Sequence, residues 1–400
     1  METGKPELEK ARLASIAGAS FLAFDVGAQW VKAVAVQAGS IVGVGRVPQH
    51  PDNMAMGAVA DVAGVAAAMQ QAASLAAPNW RRSPAIAGIG STYVQAVVTR
   101  GQCDRRHPKR PILESEIHRL FQETAPVAAE IAAEALMRRT GMCFPELQMI
   151  DAAILDMSLD SCLVSNPAYL CGKHLELSAL RTYVPAAVAS SMNLAATHAG
   201  WPNVNMVTEE FALAATALPA VAYELGGLLL DMGAGKTKMV SVDKKGFAAA
   251  RPIDIGGRSF TRSIALALQL SMDAAEELKL DYTAGTLEAE AMVTVAGAVT
   301  PVWQVLADAV HLTLQDTKGS GALPARVYLC GGGALLPGAD SFLAESRFGN
   351  TALVLAPSLQ MLGAESIAAP GDPQVYLHGA RDVTLKALAA MGYNRNRLAR

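Results

Sequence analysis

The run Leu228-Leu229-Leu230-Asp231-Met232-Gly233-Ala234-Gly235-Lys236-Thr237-Lys238-Met239-Val240 constrains this chain more than any other stretch. An apolar segment of strand character ends in an aspartate, two glycines and a threonine, then resumes as a second strand through Val242. Glycine lets backbone come close to a ligand, and successive N–H groups in such a turn form a concavity suited to phosphate oxygens. Thr237 adds a hydroxyl donor, and Lys236 in the same turn is counted with it among the phosphate contacts. Asp231 would repel phosphate directly. Its chemistry points instead to Mg²⁺ held through water, because that ion keeps several waters and takes one or two carboxylates. For one such loop alone, an ordinary β-hairpin with a glycine turn is the alternative.

A second copy shifts the balance. Phe21-Leu22-Ala23-Phe24-Asp25-Val26-Gly27-Ala28-Gln29-Trp30-Val31-Lys32-Ala33-Val34-Ala35-Val36 has the same grammar of apolar strand, Asp-x-Gly, polar turn and strand. Two such hairpins in one chain point to a duplicated domain gripping one polyphosphate from both sides. A third glycine cluster, Gly331-Gly332-Gly333, follows the apolar strand Tyr328-Leu329-Cys330 and is expected to lead into a helix. Three strand-to-glycine junctions in this order resemble the actin-like ATPase superfamily. That resemblance implies β- and γ-phosphate contacts from the first two loops and packing of the third on adenosine. In the first loop Ala28 and Gln29 replace the small hydroxyl residues usual there, although Gln29 still carries a donor.

At 400 residues the chain exceeds one ordinary core, so two to four subdomains are expected. Hydrophobic residues make up 52% and charged residues 17%, which supports extensive burial. A formal net charge of −3 argues against nucleic acid as the main partner. No run of about 18 uncharged apolar residues is found, so no transmembrane helix is expected. The first 20 residues mix Lys5, Glu7, Glu9 and Lys10 ahead of a short apolar stretch, which reads as an N-terminal arm rather than a signal peptide. Cys103, Cys143, Cys162, Cys171 and Cys330 are odd in number, with no C-x-x-C, so reduced thiols in a cytosolic protein are the default.

Along the chain, a hairpin over Phe21–Val36 and Ser40–Arg46 precedes an alanine-rich helix from about Met56 to Ala76. The strands Ala85–Gly90 and Tyr93–Thr99 complete a β-rich first half-domain. Asp104-Arg105-Arg106-His107-Pro108-Lys109-Arg110-Pro111 reads as a solvated basic linker. A helical stretch from Glu114 to about Arg139, three strands and the helix Pro185–Ala199 follow, as in an inserted α+β module.

Within the insert, Asn166-Pro167-Ala168-Tyr169-Leu170-Cys171-Gly172-Lys173-His174-Leu175-Glu176 resembles the Asn-Pro-x-x-x-x-Gly-x-x-Leu-Glu turn and strand of FtsA, the actin-like bacterial division protein. Val207-Thr208-Glu209-Glu210-Phe211 is similar to the connecting helix of FtsA and of its pilus-assembly relative PilM, which implies Glu209 on the nucleotide side. A surface helix start with Thr208 as N-cap is the other reading. Gly256-Gly257-Arg258-Ser259-Phe260-Thr261 has the Gly-Gly-x-x-x-Thr pattern of both relatives, and free N–H groups at such a helix start favour anions. Glu276 and Lys279 are nucleotide contacts by resemblance alone; by spacing they make a plain i,i+3 ion pair.

The fold expected is α/β: an actin-like (ribonuclease H-like) two-lobed ATPase fold with an inserted α+β subdomain. Its parts are an arm at 1–20, lobe I at 21–103, the insert at 104–184, the return of lobe I at 185–206, lobe II at 207–364 and a C-terminal helix and tail at 365–400. The tail carries a short apolar stripe of Val383, Leu385, Leu388 and Met391, then Arg395, Arg397 and Arg400. It reads as a packed helix with a basic end rather than a membrane-binding one.

By resemblance the cofactors are ATP and Mg²⁺. Asp25 and Asp231 position the metal; Gly27, Gln29, Gly233, Gly235 and Thr237 hold phosphates; Lys32 neutralises charge. Gly256, Gly257, Glu276, Lys279 and Gly331–Gly333 hold adenosine. The resemblance implies a cytoplasmic protein peripheral to the inner membrane, with nucleotide as a switch and weak ATPase activity at most. Three functions follow: an FtsA-type scaffold that self-associates into filaments with a tubulin-like division protein, a PilM-type adaptor docking an inner-membrane pilus partner, or a sugar or small-acid kinase. The last needs an aspartate base beside a sugar pocket, and no segment resembles one.

Overall fold

A computed structural model describes residues 20–80, 83–244, 246–318, 324–343 and 357–398. The arm expected at 1–20 lies, apart from Ser20, outside the described residues, as do Arg400 and the side chains of Arg395 and Arg397.

The chain opens with β1 (Phe21–Val26), β2 (Trp30–Gln37) and β3 (Ser40–Pro48), a three-stranded antiparallel meander. A small hairpin of β4 (Met54–Ala55) and β5 (Ala58–Val59) precedes α1 (Val62–Ala76). The helix begins later than its alanine content implies because Asp61 is the N-cap, its carboxylate accepting the Ala63 N–H at 3.0 Å. Gly43 and Gly45 of β3 let α1 lie almost on the sheet backbone. A Cβ at either would come within 2.1 Å and 2.0 Å of the Ala76 and Ala72 carbonyl oxygens.

β6 (Ala85–Ile89) then runs parallel to β1. The next strand, β7 (Gln95–Asp104), leaves this sheet. It pairs with β10 (His174–Pro185), which also pairs with β8 (Leu147–Leu159); β9 (Cys162–Leu163) completes that second sheet in the order β7-β10-β8-β9. Tyr93–Thr99 therefore opens the inserted module rather than completing the first half-domain. Two helices, α2 (Glu114–Glu123) and α3 (Ala125–Thr140), pack on the insert's sheet.

The linker is not wholly solvated. Arg105 is 7% exposed and donates to the carbonyls of Gly172, Arg110 and Pro111 and to the Glu116 carboxylate. One guanidinium thus staples Gly172 and the Arg110-Pro111 backbone to the start of α2, a use of its fork geometry that a lysine could not reproduce.

The chain returns through α4 (Ala186–Ala199) to β11 (Asn205–Thr208), parallel to β6. Short helices α5 (Glu209–Thr216) and α6 (Ala220–Leu225) lead into β12 (Gly227–Met232), β13 (Thr237–Asp243) and β14 (Gly246–Ile253), a second antiparallel meander. After α7 (Gly257–Leu268), α8 (Met272–Ala284) and α9 (Ala289–Lys318), β15 (Arg326–Cys330) and β16 (Ser358–Met361) add in parallel. The first sheet runs β11-β6-β1-β2-β3 and the last β14-β13-β12-β15-β16. Numbered by appearance within each lobe, both orders are the same, with the same strand directions, so the duplication read from the two loops extends to whole lobes.

Central strands buried on both faces need apolar residues at every position. In β1, Leu22 and Phe24 face a core with α1 and α4, while Phe21 and Ala23 face a core shared with lobe II. In β12, Leu229 joins that shared core, and Leu228 and Leu230 face α7, α8 and α9. By length and composition α9 could cross a membrane. Its inner face, with Val295, Val299, Trp303, Leu306, Val310 and Leu314, is built into lobe II, which accounts for the apolar run. The last helix, α10 (Val383–Leu398), returns to β1, β6 and α5, and its Val383, Leu385, Leu388 and Met391 are buried in the shared core.

Candidate functional site at the interlobe cleft

β1 and β12 each carry an aspartate one residue before their end, and strand register sets a lysine directly opposite each: Asp25 against Lys32, Asp231 against Lys238. The sequence signal is a repeated Asp-x-Gly-Ala-x-x-x-Lys, Asp25 to Lys32 and Asp231 to Lys238, whose lysine went unread in the second copy. Lys238 Nζ lies 2.6 Å from Asp231 Oδ2 and 2.5 Å from Glu209 Oε2, and all three side chains are buried. Thr384 at the start of α10 donates to the same Asp231 oxygen at 2.9 Å. Lys32 Nζ is 3.6 Å from Asp25 and 3.7 Å from Asp382, and donates to the Arg381 carbonyl.

Burial raises the pKa of Glu209 and Glu210, the latter to about 7. Glu210 is fully buried with no hydrogen-bond partner on either oxygen. The surface helix start considered for this segment is thus replaced by two interior carboxyl groups, and the Thr208 hydroxyl donates to Asp151 instead of capping α5. Burial would also raise Asp231, but Lys238 and the Thr384 hydroxyl hold it below the usual range. Burial would lower Lys238, yet Asp231, Glu209 and Glu210 keep its ammonium charged well above ordinary values. Lys236 has less compensation, and burial lowers it to about 8.

The two turns close alike: the Gly27 N–H donates to the Trp30 carbonyl and the Gly233 N–H to the Lys236 carbonyl, each at 2.9 Å. The helix start at Gly256-Gly257 forms as expected, but its N–H groups are not free. Those of Gly257 and Arg258 donate to the carbonyls of Gly233 and Ala234, clamping α7 onto the second loop. The Thr237 hydroxyl donates to the Ile255 carbonyl on the same seam. Gly235 faces Ala28 across the cleft, where an added Cβ would meet the Ala28 Cβ at 3.7 Å. Gly331–Gly333, lying over Asp231 and Met232, lead into a short 3-10 turn (Gly332–Leu335) rather than an α-helix.

Side chains from each lobe reach the other. Arg258 donates to the Ala28 carbonyl at 2.8 Å, Gln29 to Glu276 at 3.1 Å, and Lys236 to the Met56 carbonyl and the Thr92 hydroxyl at 3.1 and 3.3 Å. Glu276 and Lys279 do form their ion pair, at 2.6 Å, and Lys279 also holds Thr261 of α7. Arg258→Ala removes one of these bridges from a partly exposed position. It is expected to change global stability by about 0.5 kcal/mol or less, while hydrogen exchange at residues 27–30 quickens.

The carboxylates expected to position Mg²⁺ do not fit that ion. Of that pair, Asp231 shares the Lys238 ammonium with Glu209 and Asp25 lies 3.6 Å from the Lys32 ammonium, whereas a Mg²⁺ ion needs room for the waters it retains. The walls leave little: a Cβ at Gly90 would lie 2.2 Å from Glu209 Oε2, and one at Gly331 2.5 Å from Asp231 Oδ1. Two unit charges of like sign about 4 Å apart repel by about 4 kcal/mol at an effective dielectric of 20, and a divalent ion roughly doubles that. Among the described residues no group of three or more His, Cys, Asp or Glu is placed to hold a metal.

Of the residues expected to hold nucleotide, Asp25 pairs with Lys32, Asp231 and Glu209 meet at Lys238, Gly256 and Gly257 pack on Gly233, Gly331 packs on Asp231, and Gln29 reaches Glu276. Lys238, Glu210, Thr92, Arg258, Asp382 and Thr384 join them unforeseen. The family model for the cell division protein FtsA matches residues 228–371, most of lobe II. FtsA of Bacillus subtilis (strain 168) is 22% identical over 341 residues, 80% of this chain and 73% of that protein. FtsA of Enterococcus faecalis is 24% identical over 342 residues, 80% and 74% of the two chains. Among solved structures, the PilM-PilN type IV pilus biogenesis complex aligns with a TM-score of 0.62 at 19% identity, covering 93% of this chain and 98% of that one. MreB 5 of Spiroplasma citri, bound to AMPPNP, gives 0.51 at 10% identity, covering 95% and 98%. A duplicated sheet order, paired Asp-x-Gly loops and these matches agree: the chain has an actin-like fold and is similar to FtsA in sequence and to PilM in structure.

Proposed function

We propose that the interlobe cleft takes an adenine nucleotide and that the chain is an FtsA-type scaffold, self-associating and linking a division-ring filament to the inner membrane. The observation that carries this reading is the pair of Asp-x-Gly-Ala hairpins facing each other, with the cations Lys32, Lys236, Lys238 and Arg258 around them. Such an array suits a polyphosphate, and one ligand touching both lobes favours hinge closure. Gly27, Gln29, Gly233, Gly235 and Thr237 lie on the phosphate side. Gly256, Gly257, Glu276, Lys279 and Gly331–Gly333 lie on the adenosine side. The nucleotide acts as a switch, and entry requires the Arg258 and Gln29 bridges to part. Nucleotide-bound MreB 5, with the same fold, supports the choice of ligand.

A second reading, a PilM-type cytosolic adaptor that docks a membrane-anchored partner, is favoured by α10. Its apolar stripe is spent on the shared core, so membrane contact would come through the partner. Sedimentation of the full chain separates the two. Pelleting that appears with ATP supports the scaffold; a chain that binds ATP yet stays in the supernatant at all concentrations supports the adaptor.

A further inference from the structure

We propose that Lys238 is the resident cation of the cleft floor, so that this chain takes its nucleotide without a divalent metal. The proposal rests on the nucleotide reading above. Its starting point is the disagreement between the expected Mg²⁺ pair and the observed one. The only cation within 4.0 Å of Asp231 or Glu209 among the described residues is the Lys238 ammonium.

Backbone register makes this arrangement a built one. Asp231 and Lys238 are cross-strand partners on β12 and β13, so neither side chain has to reach for the other. Glu209 comes from a third element, the first turn of α5, and supplies the second carboxylate. An ammonium has three N–H donors, and two point at these carboxylates. The third is the donor the proposal gives to a phosphate oxygen. A divalent ion would do the same bridging, carboxylate to phosphate, but it would need the place where Nζ stands. Asp231 is further committed through Thr384, and the backbones at Gly90 and Gly331 close against the two carboxylates. The first hairpin repeats the device with Lys32 between Asp25 and Asp382, so each lobe brings its own fixed positive charge.

The test uses the full chain and ATP titrated calorimetrically in excess Mg²⁺ and again in excess EDTA. The proposal expects affinities within about threefold of each other, whereas loss of tenfold or more in EDTA overturns it. Binding in neither medium overturns the nucleotide reading instead, so the two failures are distinct. Lys238→Met, which keeps the stem and removes the charge, supplies the second arm. With two uncompensated carboxylates facing each other, this variant should melt at a higher temperature when Mg²⁺ is added, and its ATP affinity should become at least tenfold dependent on the metal. The unaltered chain without nucleotide should show no shift in melting temperature with Mg²⁺. A shift in the unaltered chain equal to that of the variant overturns the proposal, and if Lys238→Met does not fold, the unaltered chain's two titrations decide.

Discussion

Asp231→Ala is expected to lower the unfolding free energy by about 3 kcal/mol, the lower end of the cost of removing one partner from a buried ion pair. The lower end applies because Lys238 keeps Glu209, so its charge is not stranded. Two other losses add to the lost ion pair. The Thr384 hydroxyl loses its acceptor, which loosens the start of α10 from lobe II, and the carboxylate site becomes a small cavity beside Gly331. Asp231→Asn keeps the volume and an acceptor for Thr384, and should cost less. Urea unfolding of the three proteins, compared at equal slope, checks the order. If alanine and asparagine cost the same, the Thr384 acceptor and the cavity contribute nothing; if asparagine costs nothing, the charge is irrelevant and the account of the floor is wrong.

The second large effect is a pH dependence centred on Glu210. Its pKa is about 7 in the folded chain against an ordinary value of 4.5, because burial penalises the charged form. Between these values the folded state holds the proton that the unfolded state has released. Stability therefore falls as pH rises through this window, by on the order of 3 kcal/mol once both states are ionised. Lys236 acts in the opposite sense and at higher pH. Its folded pKa of about 8 lies below the ordinary 10.5, so stability rises with pH between those two values. Measurements at about pH 5 and about pH 7.5 thus stay below the Lys236 window, and since burial raises Glu209 as well, the Glu210 share is the difference between the parent and a Glu210 variant. Glu210→Gln should match the parent near pH 5 and exceed it at pH 7.5, with a smaller change in unfolding midpoint between them than the parent shows. A variant whose difference from the parent is the same at both values would show that Glu210 titrates normally.

Much of this architecture is legible in the residues because glycine and aspartate at strand ends are rare and positional. The two hairpins, the Gly256-Gly257 helix start and the strand before Gly331 follow from that punctuation, and the inserted module shows in the Asn166-Pro167 turn. Strand partners are less legible. Tyr93–Thr99 reads as β from its residues, but nothing in an apolar run states that it will pair with β10 rather than β6. Buried cations are the hardest case. Arg105 reads as part of a solvated linker and Lys238 carries no reading of its own, because isolated charges are almost always solvated, and only three-dimensional proximity to Glu116, Asp231 and Glu209 makes their burial possible. Glu210 escaped notice for the same reason.

Calorimetric titration of ATP, with Mg²⁺ present, into the full chain and into Gly235→Glu tests the central claim most directly. Position 235 opens onto Ala28 with ordinary spacing, so the substitution adds a negative charge between the two loops without forcing backbone apart. The expected result is one site per chain in the parent and affinity at least tenfold weaker in the variant, with an unchanged melting temperature. ATP binding of equal strength in both proteins would place the nucleotide elsewhere, and no binding in the parent would make the cleft a protein-only joint; either result contradicts the account.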